Sequence, residues 1–288
     1  MTPTPTEPAR YAGADLRLAA VDMDGTLLDD DKNFPPGMEE LLDQMDARGV
    51  TFAPASGRQV WTLIDMFPGR LGMTVIGENG GIVMRDGVEV SSSPLDAPTM
   101  REAVRLVREA TSGSDGIDGG LVMCGKQFAY VERTDDRFVE GVMPYYHRTK
   151  RIDDQIAIID AIEAGEIDDA IVKLAVYVIG PVQALAEATL ANFADTHQYA
   201  ISGANWADLQ IRGVDKGSAV RDLQRFLGVD RSQTAVFGDA GNDLSMMSEG
   251  DLSFAMANAS ADVIEAARFV APSNNEAGVA QVLRVLLG

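Results

Sequence analysis

The chain has 288 residues with 24 Lys+Arg against 44 Asp+Glu, a formal net charge of −20 at pH 7. That acidity argues against a nucleic-acid partner, because such binding is driven by cations replacing counterions on phosphate. The single cysteine, Cys124, excludes an intramolecular disulfide and a cysteine-based zinc cluster, and no apolar run approaches the ~20 residues of a membrane span.

The opening stretch MTPTPTEPARYAG lacks the basic start and apolar region of a signal peptide, so residues 1–14 are expected as a disordered tail and the location as cytoplasmic. Leu16 to Val21 reads as a buried strand, and Pro36 opens a helix that carries Leu41, Leu42 and Met45 on one face. Val50 to Ala55 is a second strand, followed by a helix from Arg58 to Phe67 and a third strand from Met73 to Gly77. Asp86-Gly87 between two β-forming triplets predicts a hairpin. Pro94 and Pro98 mark a boundary, after which come a helix to Thr111 and a flexible stretch, SGSDGIDGG.

Strands are then predicted at Leu121 to Met123, Phe128 to Glu132 and Ile171 to Ile179, the last interrupted by Lys173. Helices are predicted at Asp153 to Ala164 and Pro181 to Asp195, with a second hairpin at Ile201 to Ile211. From Asp215 onward strand and helix alternate to the end. This order predicts an α/β fold, a doubly wound, Rossmann-like parallel-sheet core with an inserted α/β domain. The core takes residues 1–93 and 212–288, and the insertion takes 94–211.

Four short motifs carry chemistry. Asp22-Met-Asp24-Gly-Thr26 follows the apolar run LAAV, at a strand's carboxyl end, where open α/β sheets bind ligands. Side chains two apart on a strand point the same way, so Asp22 and Asp24 can face one point, and two acids there make most sense around a cation. Gly238-Asp239-Ala-Gly-Asn242-Asp243 follows a second apolar run, AVF, and would complete an oxygen-rich magnesium site, although alone it is ordinary turn and cap composition. Ser56 and Gly57, after the strand VTFA, form a natural phosphate cradle at a helix start, or simply an N-cap. Lys216 stands at a helix N-terminus, where the dipole disfavours it, and so suggests an anion beside it.

Together these motifs resemble the haloacid dehalogenase superfamily, most closely its Cof-type phosphatases with a large α/β (type IIB) cap. DMDGTLLDDD, PASGR, GENGG, IRGVDKG, GDAGNDLSMM, AMANA and SNNEAGV all look like segments of that subfamily and span residues 22–279. Gly81 and Ala257 depart from its usual residues without touching the chemistry. The resemblance implies hydrolysis of small phosphate monoesters, sugar phosphates or phosphorylated cofactors, through an aspartyl-phosphate. Asp22 would be the nucleophile and Asp24 the acid–base. Magnesium would be held by Asp22, the Asp24 carbonyl and Asp239, with Asp243 ordering its waters. Ser56, the Gly57 and Met23 N–H groups, Lys216 and Asn242 would hold the phosphate. A phosphomutase or phosphotransferase on the same site, and a silent binding protein of the same fold, are the alternatives.

The expected partner is a small phosphorylated metabolite, with no nucleic acid and no membrane, and the expected state is a monomer or homodimer. Within the insertion no motif names a substrate, and Asn205, Trp206 and Asp208 on its last hairpin are candidates by position only. The near P-loop at Gly120–Gln127 has Gln127 where Ser or Thr belongs. The run Asp29-Asp-Asp reads as a solvated loop.

Overall fold

The computed structural model describes residues 4–70 and 72–288. The first five strands, β1 (Leu18–Asp22), β2 (Thr51–Ala55), β3 (Thr74–Gly77), β4 (Ile82–Arg85) and β5 (Val88–Ser92), lie in one sheet. The next six, β6 (Gly119–Gly125), β7 (Ala129–Val131), β8 (Thr149–Arg151), β9 (Ile171–Val178), β10 (His197–Ile201) and β11 (Trp206–Ile211), form a second sheet. The last three, β12 (Thr234–Gly238), β13 (Leu252–Met256) and β14 (Phe269–Ala271), return to the first.

The chain accordingly divides into two compact units. One takes the chain up to Ser56, Gly69–Ser91 and Asp215–Gly288, and the other takes Gly57–Pro68 and Ser92–Val214. In the first, the strand order is β14-β13-β12-β1-β2-β3-β4-β5, parallel from β14 to β3. β1 is buried along its whole length, as a strand flanked on both sides and covered on both faces must be. Successive strands leave β1 toward β2 on one side, and the chain returns at β12 on the other. Their adjacent carboxyl ends are therefore the topological switch point, where such sheets bind ligands. Asp86 and Gly87, at φ 54° and 75°, have the positive φ pair of a type I′ turn.

One expectation for this unit needs correction. Residues 1–3 of the expected tail lie outside the described residues. Beyond them the segment is anchored, with Thr6 N–H donating to Val270 O at 2.8 Å and Thr6 Oγ1 accepting from Val270 N–H at 2.9 Å. Tyr11 is buried edge-on against Phe254. An apolar aromatic with a place on the sheet was enough to order a stretch whose composition reads as loop. The Asp29–Asp31 run is a surface loop, as read, in which Asp29 accepts from the Asn33 N–H and Asp30 from Asn274 and Asn275.

The second unit has the strand order β10-β11-β9-β6-β7-β8. Helices Ala97–Thr111 and Gln155–Glu163 cover one face, with Met100, Val104 and Ile159 packed against Leu174 and Val176. Cys124, Ala175, Phe138 and Tyr146 pack on the other face. The segment 57–68, assigned by sequence to the core, groups here. Thr62 Oγ1 donates to Tyr145 O, the Gln59 amide exchanges hydrogen bonds with the Arg148 backbone, and Trp61 Nε1 donates to Lys126 O.

Gly119 and Gly120, expected in a flexible stretch, open β6. A Cβ at Gly119 would lie 2.7 Å from Tyr177 O, so close packing rather than flexibility explains this glycine. The helix predicted to run from Pro181 to Asp195 breaks at Thr189 (φ −125°, ψ −85°), giving Gln183–Ala188 and a 3₁₀ turn at Leu190–Phe193. Among the described residues no helix is long and apolar enough to cross a membrane.

Candidate active site

β1 ends at Asp22 and β12 at Gly238, which sets Asp22 and Asp239 side by side at the switch point. Carboxylate oxygens of Asp22, Asp239 and Asp243 all lie within 4.8 Å of one another. Lys216, wholly buried at the first turn of helix Lys216–Leu227, reaches Asp22 Oδ1 at 2.5 Å and Asp243 Oδ1 at 2.7 Å. Here is the anion that its unfavourable place on the helix dipole suggested. The helix start is fixed by Asp215, whose carboxylate accepts from Ser218 N–H at 2.7 Å.

The acidic loop after β12 folds on itself. Asp243 Oδ2 accepts from the N–H groups of Asp239 (3.0 Å) and Ala240 (3.2 Å). Gly238 must be glycine, because a Cβ there would stand 2.4 Å from the Asp243 Cβ. Thr26 Oγ1 donates to Asp239 Oδ1 at 2.9 Å, tying the two acidic loops together.

Burial lifts the Asp22 carboxyl well above the ordinary carboxylate range, the Asp243 and Asp239 charges add to this, and Lys216 offsets part of it. Asp239 is raised as well, chiefly by burial. Burial alone would lower the Lys216 ammonium, but Asp22 and Asp243 more than reverse it. Three carboxylates against one ammonium leave two formal negative charges in a largely buried site, with Asp239 on its more exposed side. Such a cluster of hard oxygen donors could hold a metal ion.

The Asp24 carboxylate is not part of that cluster. Because β1 ends two residues earlier, strand alternation does not reach Asp24, and its Oδ1 pairs with Lys32 Nζ at 2.9 Å. Met23 is buried, and its carbonyl accepts from Leu28 N–H at 2.9 Å, which closes the turn. Ser56 is buried at the end of β2, its N–H donating to Ile76 O and its carbonyl accepting from Asn79 N–H, both at 2.9 Å. Asn242 Nδ2 donates to Asn79 Oδ1 at 3.2 Å. Gly57 falls in the second unit, where its carbonyl accepts from Lys173 Nζ at 2.8 Å.

Sequence reasoning assigned no role to Asn79, Lys32 or Thr26. The signals were faint: Asn79 sits inside GENGG and takes a left-handed φ of 51°, a conformation asparagine tolerates better than most residues. Of the three residues singled out on the last hairpin, Asn205 is spent on the turn, donating to Val178 O and Gly180 O. Trp206 packs among Tyr145, Tyr146 and Tyr177. Asp208 lies 3.7 Å from the buried Lys173 Nζ.

A doubly wound sheet with an inserted α/β unit, and an acidic cluster around a lysine at the switch point, defines a hydrolase of the haloacid dehalogenase class. Residues 19–283 match the haloacid dehalogenase-like hydrolase family, and the chain belongs to it as a phosphatase of the Cof type. It is 34% identical over 282 residues to the 5-amino-6-(5-phospho-D-ribitylamino)uracil phosphatase YbjI of Escherichia coli K12, covering 94% of this chain and 96% of that one. In fold it is similar to a haloacid dehalogenase-like hydrolase from Bacteroides thetaiotaomicron (TM-score 0.76, 20% identity, 93% of this chain and 98% of that one). It is also similar to the subclass IIB sugar phosphatase BT4131 (TM-score 0.70, 18% identity, 93% and 98%).

Proposed function

We propose that the protein hydrolyses small phosphate monoesters, of the sugar-phosphate or phosphorylated-cofactor kind, through an aspartyl-phosphate formed on Asp22 in the presence of Mg²⁺. The observation that carries this reading is the convergence of Asp22, Asp239 and Asp243 around Lys216 at the switch point. An oxygen-only donor set with excess negative charge fits a hard divalent cation. Asp22, Asp239 and the Asp24 carbonyl would hold the ion, with Asp243 ordering its waters. When bound, the ion screens the repulsion between an anionic phosphate and a carboxylate nucleophile.

The remaining chemistry belongs to the chain. An Asp22 carboxylate oxygen attacks phosphorus, the phosphorus–oxygen bond to the leaving alcohol breaks, and Asp24 gives that oxygen its proton. Water then attacks phosphorus, Asp24 takes back a proton, and the Asp22–phosphorus bond breaks to free inorganic phosphate. Lys216, Ser56, Asn242 and the N–H groups of Met23 and Gly57 would bind the phosphoryl oxygens and stabilise the charge that spreads over them. Choice among esters is assigned to the inserted unit. The similarity to a ribitylaminouracil phosphatase makes phosphorylated sugar alcohols bearing a heterocycle a first class to try.

The test is a panel of phosphomonoesters at fixed Mg²⁺ with released phosphate as the readout, run on wild type and Asp22→Asn. Wild type should turn over at least one ester, and Asp22→Asn should lose about 1000-fold or more while remaining folded. Multiple turnover by folded Asp22→Asn at a tenth of the wild-type rate would end the covalent mechanism.

A further inference from the structure

The AMANA and SNNEAGV segments take no part in the chemistry above, yet they converge on the loop that follows Asp22. Asn258 Nδ2 donates to Gly25 O at 2.8 Å, and Asn258 Oδ1 accepts from Asn274 N–H at 3.0 Å. The second bond fixes which end of the Asn258 amide faces Gly25. Asn274 is itself buried, and its Nδ2 donates to Leu28 O and Asp30 Oδ1, each at 3.1 Å. Two residues beyond Asn258, Ser260 N–H donates to Asp239 O at 2.9 Å. One short segment thus holds both acidic loops.

Gly25 explains why such a hold is needed. It sits at φ 84°, and a Cβ there would lie 2.5 Å from Asp239 Oδ2, so only glycine fits. Glycine is also the residue whose backbone is least restrained by its own sterics. The Gly25 peptide joins Asp24 to Thr26, the residue that binds Asp239. Backbone bonds from Leu27 and Leu28 close the turn around it, and Asn258 supplies the hydrogen bond to the Gly25 carbonyl itself.

We propose that Asn258, oriented by Asn274, is a positioning residue: it fixes the Gly25 peptide and through it the placement of Asp22 and Asp24 against Asp239. The proposal rests on the reading of Asp22 and Asp24 given above. It differs from an ordinary loop contact in what it predicts. Asn258 is exposed, so its loss should cost the fold little. Misplacing reacting groups by an ångström, however, can cost about 100-fold in rate.

Asn258→Asp keeps the oxygen that Asn274 needs but turns an acceptor toward Gly25 O, while Asn258→Ala removes both bonds without adding charge. For each variant, kcat and KM on a hydrolysed ester are measured beside the melting temperature in chelator and across a Mg²⁺ titration. Both should lose about tenfold or more in kcat with KM within about threefold. Both should melt within a few degrees of wild type in chelator, yet need severalfold more Mg²⁺ for half of the wild-type stabilisation. Unchanged kcat and Mg²⁺ midpoint in both variants overturns the proposal, as does a rise in KM alone, which would mark a substrate contact. If Asn258→Asp fails to fold, Asn258→Ala carries the same test. Should wild type hydrolyse no ester while the variants still shift the Mg²⁺ midpoint, the catalytic reading fails and the positioning stands.

Discussion

Each unit of this protein buries one lysine, and the two are held in opposite ways. Lys216 in the first unit is wedged between two carboxylates at 2.5 and 2.7 Å, with a third nearby. Lys173 in the second donates to the Gly57 carbonyl at 2.8 Å, has Asp208 at 3.7 Å, and lies 5.7 Å from the centre of the Tyr146 ring. Lys173 thus meets a neutral carbonyl and a more distant carboxylate, the kind of pairing that buried charges ordinarily have. The cluster around Lys216 is over-supplied with negative charge, which stability alone gives no reason to keep. The imbalance, not the burial, singles out Lys216 as the candidate functional lysine.

Removing each lysine sharpens that contrast. Lys216→Met strands Asp22 and Asp243 in the interior and should destabilise the chelated protein by about 3–5 kcal/mol. Adding Mg²⁺ should restore part of that loss, because a cation can stand where the ammonium was. Lys173→Met takes a donor from the Gly57 carbonyl and a counter-charge from Asp208 and should cost about 1–3 kcal/mol, with no recovery in Mg²⁺ beyond that of wild type. Equal Mg²⁺ recovery in both variants, read from chemical denaturation, would erase the distinction between the two sites.

The same contrast explains what the sequence made legible. Motifs that end strands could be placed because an apolar run followed by Asp-x-Asp-Gly fixes both the strand and the side on which its ligands lie. Asp22 and Asp239 are read in this way, and Lys216 from its unfavourable place at a helix start, although the three lie far apart in the sequence. Lys173 gave no such signal, since one polar residue inside an apolar strand does not disclose its partner. The helix Asp136–Val142 was missed although Asp135, Phe138, Val139 and Val142 carry its cap and apolar face, because seven residues give too short a period to detect. The edge strand Thr149–Arg151 is polar and largely exposed, so pairing with β7 alone defines it. Asn79 accepts from the Asn242 side chain and Asn258 donates to the Gly25 carbonyl, partners far away in sequence that local pattern cannot report.

A smaller effect tests the excess charge itself. Asp239→Asn removes one carboxylate from the cluster while keeping an oxygen for Thr26 Oγ1. Its charge is disfavoured by burial and by Asp243, so the chelated variant should melt above wild type, by about 2–4 °C for a gain near 1 kcal/mol. Wild type should overtake it in Mg²⁺, since binding to the native state adds about 2.7 kcal/mol at a hundredfold excess over Kd. A variant that melts lower in chelator and gains as much from Mg²⁺ would remove Asp239 from the metal site.

The smallest effect is a difference in sign between the two units as pH changes. Asp22 has a raised carboxyl pKa in the folded, metal-free protein, so the native state holds its proton more tightly than the unfolded chain does. Its contribution is full below the ordinary carboxylate range of about 4 and is lost as pH rises through the folded value. Asp135 is the reverse case, held below that range by its hydrogen bonds with Arg133 first and the Phe138 N–H later. What it contributes at the start of helix Asp136–Val142 is present above the ordinary range and lost as pH falls through the lowered value, and solvent screening keeps it small. In chelator, then, acidifying from neutrality toward pH 5 should steady the amides of β1 and leave helix Asp136–Val142 unchanged, while going on below pH 4 should loosen that helix. Hydrogen exchange read separately at residues 18–22 and 136–142 distinguishes the two. Asp22→Asn should flatten the first response without touching the second, and saturating Mg²⁺ should abolish the first by making the carboxylate the favoured form. If β1 is instead loosened by mild acid in chelator, Asp22 is ionised and stabilising in the free protein, and the surplus of negative charge around Lys216 is not the strain that sets it apart from Lys173.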